Sequence, residues 1–314
     1  MDLLIQGLHH VTATVSDAQH DLDFYAGLLG LRLVKQTVNF DNHHVFHFYY
    51  GDERGTPGTL MTTFPYQGKG VPEGRKGAGQ ITATAFSVPA DSLASWRERL
   101  STHRVAVREE GSRYGEEFLG FQDPSGLTIE LIGTPRDERT PWRAPDVAPA
   151  MAIRGVHSVT LTIRLPEPSV AFLADVLGYT LQGSEARRIR LGVGGGGPGR
   201  SVDILAAPEA PAALNGLGTV HHVAMAVATA EAQLSYRERL LELGVAVTEV
   251  RDRQYFRSIY FREPGGVLYE IATIPPGFLV DEALSDLGSG LKLPAWEEPH
   301  RKAIEAGLPV VTRP

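Results

Sequence analysis

The sequence predicts an α+β protein built from four copies of one βαβββ module, and two internal repeats with a shared order of elements carry that prediction. WRERL at 96–100 matches YRERL at 236–240, and the same offset of 140 aligns Val105–Val107 with Val245–Val247. It then pairs Arg113, Phe121, Pro124, Gly126 and Glu130 with Arg253, Phe261, Pro264, Gly266 and Glu270 without a gap. A second repeat, at an offset of 148, sets Gly7-Leu8-His9-His10-Val11-Thr12 beside Gly155-Val156-His157-Ser158-Val159-Thr160. A register kept over such lengths marks a repeat architecture.

Each module opens on an alternating run such as HVTATV or HVAMAV, whose period of two predicts a half-buried strand. A helix follows. In ADSLASWRERL, Asp91 is the expected N-cap, and Leu93, Trp96 and Leu100 recur at helical spacing. DFYAGLLGLRL and VAFLADVLGYTL carry the helices of the first and third copies to a Leu-Gly ending. Short strands then lead to a DPSG or EPGG turn and a last strand, TIELIG or LYEIAT. The modules span about residues 1–75, 76–147, 148–215 and 216–276, so the expected domains are 1–147 and 148–276, followed by a tail at 277–314. GTPRDERTPWRAPDVAPA at 133–150 reads as the linker, Gly194–Gly197 as a flexible turn rather than a phosphate cradle, and the tail as a segment packed over something.

Composition narrows the function classes. With 37 acidic and 30 basic residues spread along 314 positions, the chain has no basic stripe, and nucleic acid is not an expected partner. No stretch approaches the roughly 18 apolar residues of a membrane span, and the N-terminus lacks a signal-like apolar run, so a cytosolic protein without a membrane partner is expected. Cysteine is absent, which leaves His, Asp, Glu and backbone oxygen to bind any metal. A homo-oligomer is compatible with all of this.

His9-His10 and His221-His222 each open a first strand. Adjacent strand residues face opposite sides, so one His of each pair is expected to point inward. His9 aligns with His157, whereas His10 aligns with Ser158 and His222 with Thr82, so the second position is His only in modules one and four. Those two modules are expected to share the working site. Glu270 ends module four, Glu130 and Asp203 stand in modules two and three, and module one offers only Leu60-Met61-Thr62. The resulting set is His10, His222 and Glu270, two imidazoles and a carboxylate, which leaves one face of an octahedral metal open and suits Fe(II) enzymes that activate O₂. Glu130 and Asp203 read as a degenerate twin, and His43, His44 and His47 as surface or loop histidines.

The module with DFYAGLLGLRL is similar to the glyoxalase, bleomycin-resistance and extradiol dioxygenase superfamily, whose members form barrel-like vicinal oxygen chelate domains. LHHVT, VKQTVNFD, GTPGTLMTTFP, GRKG, GFQDP, RGVHSVT, HHVAMAV and YFRSIYFREPGGVLYEIAT resemble its ring-cleaving dioxygenases for hydroquinones and chlorohydroquinones, over nearly the whole chain. The resemblance implies Fe(II) on His10, His222 and Glu270, with an aromatic diol and O₂ as substrates. It further implies His221, Tyr260 and Arg253 as catalytic groups and His9 and Thr12 as substrate-binding groups. Tyr255 and Phe256 are additional candidates for lining the pocket. Two rivals stand beside this: a glyoxalase-type isomerase, for which module one lacks the second carboxylate, and a metal-free binding protein, which has no need of three ligands.

Overall fold

The computed structural model describes residues 5–314. Module one comprises β1 (Leu8–Val15), α1 (Ala18–Leu22), β2 (Arg32–Asn39), β3 (Asn42–Gly51) and β4 (Leu60–Pro65). Module two comprises β5 (Gln80–Val88), α2 (Leu93–Thr102), β6 (Glu109–Arg113), β7 (Glu116–Gln122) and β8 (Thr128–Gly133). In module three these are β9 (Gly155–Ile163), α3 (Pro166–Asp175), β10 (Thr180–Glu185), β11 (Arg188–Gly192) and β12 (Ser201–Ala206). Module four holds β13 (Thr219–Val227), α4 (Ala230–Glu242), β14 (Arg251–Asp252), β15 (Arg257–Arg262) and β16 (Leu268–Thr273).

The strands form two curled eight-stranded sheets, ordered β14-β15-β16-β13-β1-β4-β3-β2 and β10-β11-β12-β9-β5-β8-β7-β6. Modules one and four therefore share one sheet, and modules two and three the other. Antiparallel pairing of β1 with β13, and of β5 with β9, joins the modules at each sheet's centre. The alternating first strands are not half-exposed as their pattern implies, because β1 is buried along its whole length. Val11, Ala13 and Val15 enter the main apolar core, while His10, Thr12 and Thr14 are enclosed on the concave face. The period of two separates apolar from polar surroundings here, not inside from outside.

The helices cover the convex faces. Trp96 on α2 is fully buried and donates Nε1–H to the Met151 carbonyl at 2.7 Å, so truncation to Ala should cost about 3–5 kcal/mol. Asp91 does not cap α2. It sits within a 3₁₀ turn at Ala90–Ser92 that enters the helix directly, and no side chain caps that end. Asp17 and Thr229 do cap their helices, accepting from His20 and Ala232 backbone N–H groups. After α1 the chain widens into a π-helical turn, Asp23–Leu28, and the Leu-Gly endings place Gly30 and Gly178 at φ values of 69° and 73°, where a side chain is strained.

The linker is anchored rather than free. Arg139 donates to the Gly58 carbonyl at 2.8 Å and the Val156 carbonyl at 2.9 Å, bridging the two sheets. The tail packs on modules four and one: Phe278 stacks on Tyr255 of module four, Lys292 N–H donates to the Gln36 carbonyl of module one, and Ile304 of α5 (Arg301–Gly307) joins Val38 of module one and Leu293 in a small core.

Candidate metal centre

His10, His222 and Glu270 come from β1, β13 and β16, three adjacent strands at the middle of the first sheet. The one nitrogen or oxygen each could offer a metal lies within 4.8 Å of the others, and all three residues are buried. His10 Nε2 is 3.2 Å from His222 Nε2, and Glu270 Oε2 is 2.8 Å from His222 Nε2 and 3.4 Å from His10 Nε2. The site joins the first and last modules, as the second-position histidines foretold.

The two His-His pairs depart from simple alternation. In the β1–β13 ladder, Leu8 pairs with Met225 but His10 with Ala224, and Thr12 pairs with His222 but Ala13 with Val220. His9 and His221 are thus the extra residues of two bulges, which turn adjacent side chains toward each other. His9 Nδ1 lies 2.9 Å from His10 Nδ1, and His221 Nδ1 lies 2.8 Å from His222 Nδ1. Ser258 supports the third ligand, donating its hydroxyl proton to Glu270 Oε1. Each prospective ligand therefore has one polar side chain that fixes its orientation. Ser258 escaped the sequence reading, although it shares strand parity with Tyr260.

The internal alignment needs one correction. Val223 pairs with Tyr269 where Thr84 pairs with Ile129, so β5 and β13 are related by 139 residues, while β8 and β16 keep 140. The counterpart of His222 is Ala83, and Thr82 matches His221. Neither Ala83 nor Ser158 can replace an imidazole ligand, so the deduction about modules one and four stands.

Burial alone would raise the Glu270 carboxyl, but the charges and hydrogen bonds of His10 and His222 outweigh it and hold the group well below the usual carboxylate range. Burial lowers His222, and lowers His9 and His221 to about 3, each further depressed by its neighbouring imidazole. Glu270 Oε2 is buried without a hydrogen bond of normal geometry. A buried carboxylate oxygen and two imidazole nitrogens converging within 3.4 Å of one another fit a divalent cation.

The set faces a cavity of about 510 Å³ walled by aromatic residues, among them Tyr49, Phe64, Phe256 and Tyr260. Tyr260 pairs with Glu270 across the β15–β16 ladder, which puts its ring on the same face as the ligands. Arg253 Nε donates to the Tyr260 hydroxyl at 3.1 Å, and Arg253 Nη2 to Asp41 Oδ2 at 2.9 Å. Burial and the Glu270 charge push the Tyr260 phenol up, so it keeps its proton at neutral pH. His221, Phe256, Arg253 and Tyr260 line this cavity; Tyr255 lies behind it, and His9 and Thr12 do not reach it. Thr12 instead bonds Thr62 at 2.8 Å, and Thr62 bonds His47 Nε2 at 2.9 Å. His9 connects to the cavity lining through His10, and Thr12 through Thr62 and His47.

His47 corrects a second expectation. It is 9% exposed, lines the cavity, and lies between the rings of Tyr49 and Phe64 at 4.0 and 4.3 Å. Burial, then the neighbouring His10 and His222, lowers it well below the ordinary imidazole value. His44 is exposed and His43 sits 3.2 Å from Glu297, so two of the three match the surface reading.

The twin face of the second sheet is closed by guanidinium groups. Arg190 clasps Asp203 through two bonds at 2.7 and 3.0 Å, Arg113 pairs with Glu130 at 2.7 Å, and Glu116 receives Arg190 at 3.2 Å near His157. Glu130 and Asp203 are thus structural ion-pair partners, as expected of a degenerate site.

The glyoxalase/bleomycin resistance protein/dioxygenase superfamily model matches residues 7–131 and 155–271. MhqO of Bacillus subtilis, which bears a provisional name as a ring-cleaving dioxygenase, is 41% identical over 302 residues, or 96% of this chain and 95% of that protein. The chlorohydroquinone/hydroquinone 1,2-dioxygenase of Sphingobium indicum is 38% identical over 295 residues, 92% of this chain and 91% of its own. A crystal structure from Bacillus subtilis, provisionally titled a dioxygenase, superposes with a TM-score of 0.94 at 40% identity, covering 99% of both chains. Glyoxalase I of Zea mays, with a TM-score of 0.61 at 16% identity over 85% of this chain and 92% of that one, shares the fold. This chain, with a model match in each half and full-length relatives near 40% identity, belongs to the glyoxalase/bleomycin resistance protein/dioxygenase superfamily.

Proposed function

We infer that the protein is an Fe(II)-dependent ring-cleaving dioxygenase that opens hydroquinone-type aromatic diols with O₂. The observation that carries this reading is the buried His10, His222 and Glu270 set opening onto a cavity walled by aromatic rings. His10, His222 and Glu270 would hold the Fe(II). When bound, Fe(II) supplies a path for electrons from an electron-rich phenolate to O₂.

The chain's own groups do the rest. Tyr49, Phe64 and Phe256 hold the ring by apolar and edge contacts. His47 is neutral and offers a hydrogen-bond partner to a substrate hydroxyl. Tyr260 donates its phenolic proton to oxygen that gains charge, and Arg253, fixed between Tyr260 and Asp41, adds a permanent positive charge. His9 and His221 hold the ligand imidazoles in the tautomer that presents Nε2. The ring opens between a hydroxylated carbon and its neighbour, and both atoms of O₂ enter an unsaturated acid or acyl product. Relatives named for ring cleavage and for hydroquinone dioxygenation support the assignment.

Thr62 occupies the position in module one that holds Asp203 in module three, so an isomerase site with a second carboxylate ligand has no side chain to build it. The test is anaerobic reconstitution with Fe(II), followed by O₂ uptake with hydroquinone, methylhydroquinone, a chlorohydroquinone or catechol, using Zn(II) protein as control. Uptake with loss of aromatic absorbance in the iron form alone establishes ring cleavage. No uptake, together with turnover of a hemithioacetal by the zinc form, moves the protein to the isomerase class.

A further inference from the structure

A second cavity, of about 330 Å³, lies behind the ligand histidines between the Arg54–Pro57 turn and the start of the tail at Pro275–Leu279. His9 lines this cavity and His10 lines the main one, so the dipeptide forms part of the wall between them. Phe256 lines both cavities, with its ring centroid 4.9 Å from the His9 ring and 5.1 Å from the His10 ring. We propose that the smaller cavity is the route by which dioxygen reaches the centre, with Phe256 as its gate. The proposal rests on the dioxygenase reading above.

Three features favour this occupant. First, the aromatic substrate needs the wide cavity, and once seated against His10, His222 and Glu270 it fills the approach that a second reactant would otherwise use. Second, the smaller cavity is walled by Tyr255, Phe256, Ile274, Pro276, Phe278 and Leu279, with Arg54 the one charged side chain along it among the described residues. Such a lining imposes a desolvation penalty on ions and diols and almost none on a diatomic apolar gas. Third, hydrogen bonds pin the frame around the gate, whereas packing alone holds the gate. Tyr255 stacks on Phe278 at 4.9 Å and donates its hydroxyl to Asp281 at 3.0 Å, and Gly277 N–H donates to the Tyr255 carbonyl at 2.9 Å. The Phe256 side chain, 3% exposed, is held by packing against the His9, His10 and Tyr49 rings, so its rotation breaks no hydrogen bond.

Pressurising crystals of the wild-type protein with xenon reads the cavity without any turnover, since apolar cavities of this kind take up xenon. The expected result is a xenon peak between Phe256 and Phe278. Leu279→Trp then narrows the outer rim, where Leu279 is 41% exposed and does not line the main cavity. In the iron-loaded enzyme it should lower kcat/KM for O₂ about fivefold, leaving kcat at saturating O₂ and KM for hydroquinone within about twofold. An empty cavity under xenon, or an unchanged kcat/KM for O₂ in active Leu279→Trp enzyme, overturns the route and leaves the function standing. A wild-type enzyme that consumes no O₂ with any diphenol overturns the function, and the route with it.

Discussion

His9 Nδ1 lies 2.9 Å from His10 Nδ1, on the side of the His10 ring away from the cavity. A ring that presents Nε2 to a metal must carry its proton on Nδ1, and His9 is the acceptor for it. His9→Ala should therefore weaken Fe(II) binding about 10- to 100-fold, read by competition with a chromophoric chelator. Binding at wild-type strength would show that His10 is oriented by its packing against Phe256 alone.

Removal of a ligand should be more severe. His222→Ala and Glu270→Ala each leave two donors where three converge, and both iron content after gel filtration and O₂ consumption should fall to background. Retained iron in either variant would sink the ligand assignment.

Tyr260→Phe separates chemistry from binding. Tyr260 stands outside the His10, His222 and Glu270 set but lines the same cavity, so the variant should keep its iron while kcat falls roughly 100-fold. Arg253→Lys should also slow turnover, because a single ammonium cannot hold Tyr260 and Asp41 together as the guanidinium does. A wild-type rate for Tyr260→Phe would remove it from the mechanism.

The candidate metal-binding set was legible because repetition and strand parity are both written in sequence. His10 and His222 share a position that Ser158 and Ala83 occupy elsewhere, and Glu270 has a counterpart in Glu130. The bulges at His9 and His221 were not legible, since each depends on pairing between β1 and β13, strands some 210 residues apart. Ser258 lay within reach, two residues before Tyr260 on one strand, but a serine has no chemistry that singles it out. His47 was not separable from His43 and His44, since three histidines within one β-rich stretch read alike. Its true cue is the shared parity with Tyr49 on β3, facing Thr62 on β4. The tail's path over module one had no periodicity to announce it.

Lys35 shows what fixes that path. Its ammonium is completely buried between Asp281, 2.6 Å away, and Glu282, with the Phe278 carbonyl as a third acceptor and the Tyr255 ring 5.0 Å off. Lys35→Met would strand two carboxylates beside an apolar stem and should cost about 3–5 kcal/mol. Limited proteolysis should then cut first near residues 275–290. A triple variant that also carries Asp281→Asn and Glu282→Gln should recover part of the lost stability, because the uncompensated charges are gone. Unchanged melting and proteolysis in Lys35→Met would mean that apolar contacts of Phe278 and Leu287 hold the tail unaided.

Asp21 on α1 gives the fold a pH dependence whose sign can be worked out. Burial pushes its carboxyl up from 3.8 to about 8, against the hydrogen bonds donated by Thr63 and Tyr50, which favour the anion. Between those two values the folded chain holds a proton that the unfolded chain has released. Stability therefore falls as pH rises through that window and levels off above about pH 8. Asp123, raised by burial to about 6, acts in the same direction over a narrower range, so the comparison must isolate Asp21. Asp21→Asn keeps a carbonyl acceptor for Tyr50 and Thr63 and has no proton to lose. Relative to wild type, its Tm should rise steadily from pH 5 to pH 8, a difference that cancels contributions common to both proteins. Parallel Tm profiles would mean that Asp21 is ionised throughout in the folded state, stabilised by the Thr63 and Tyr50 hydroxyls strongly enough to defeat its burial.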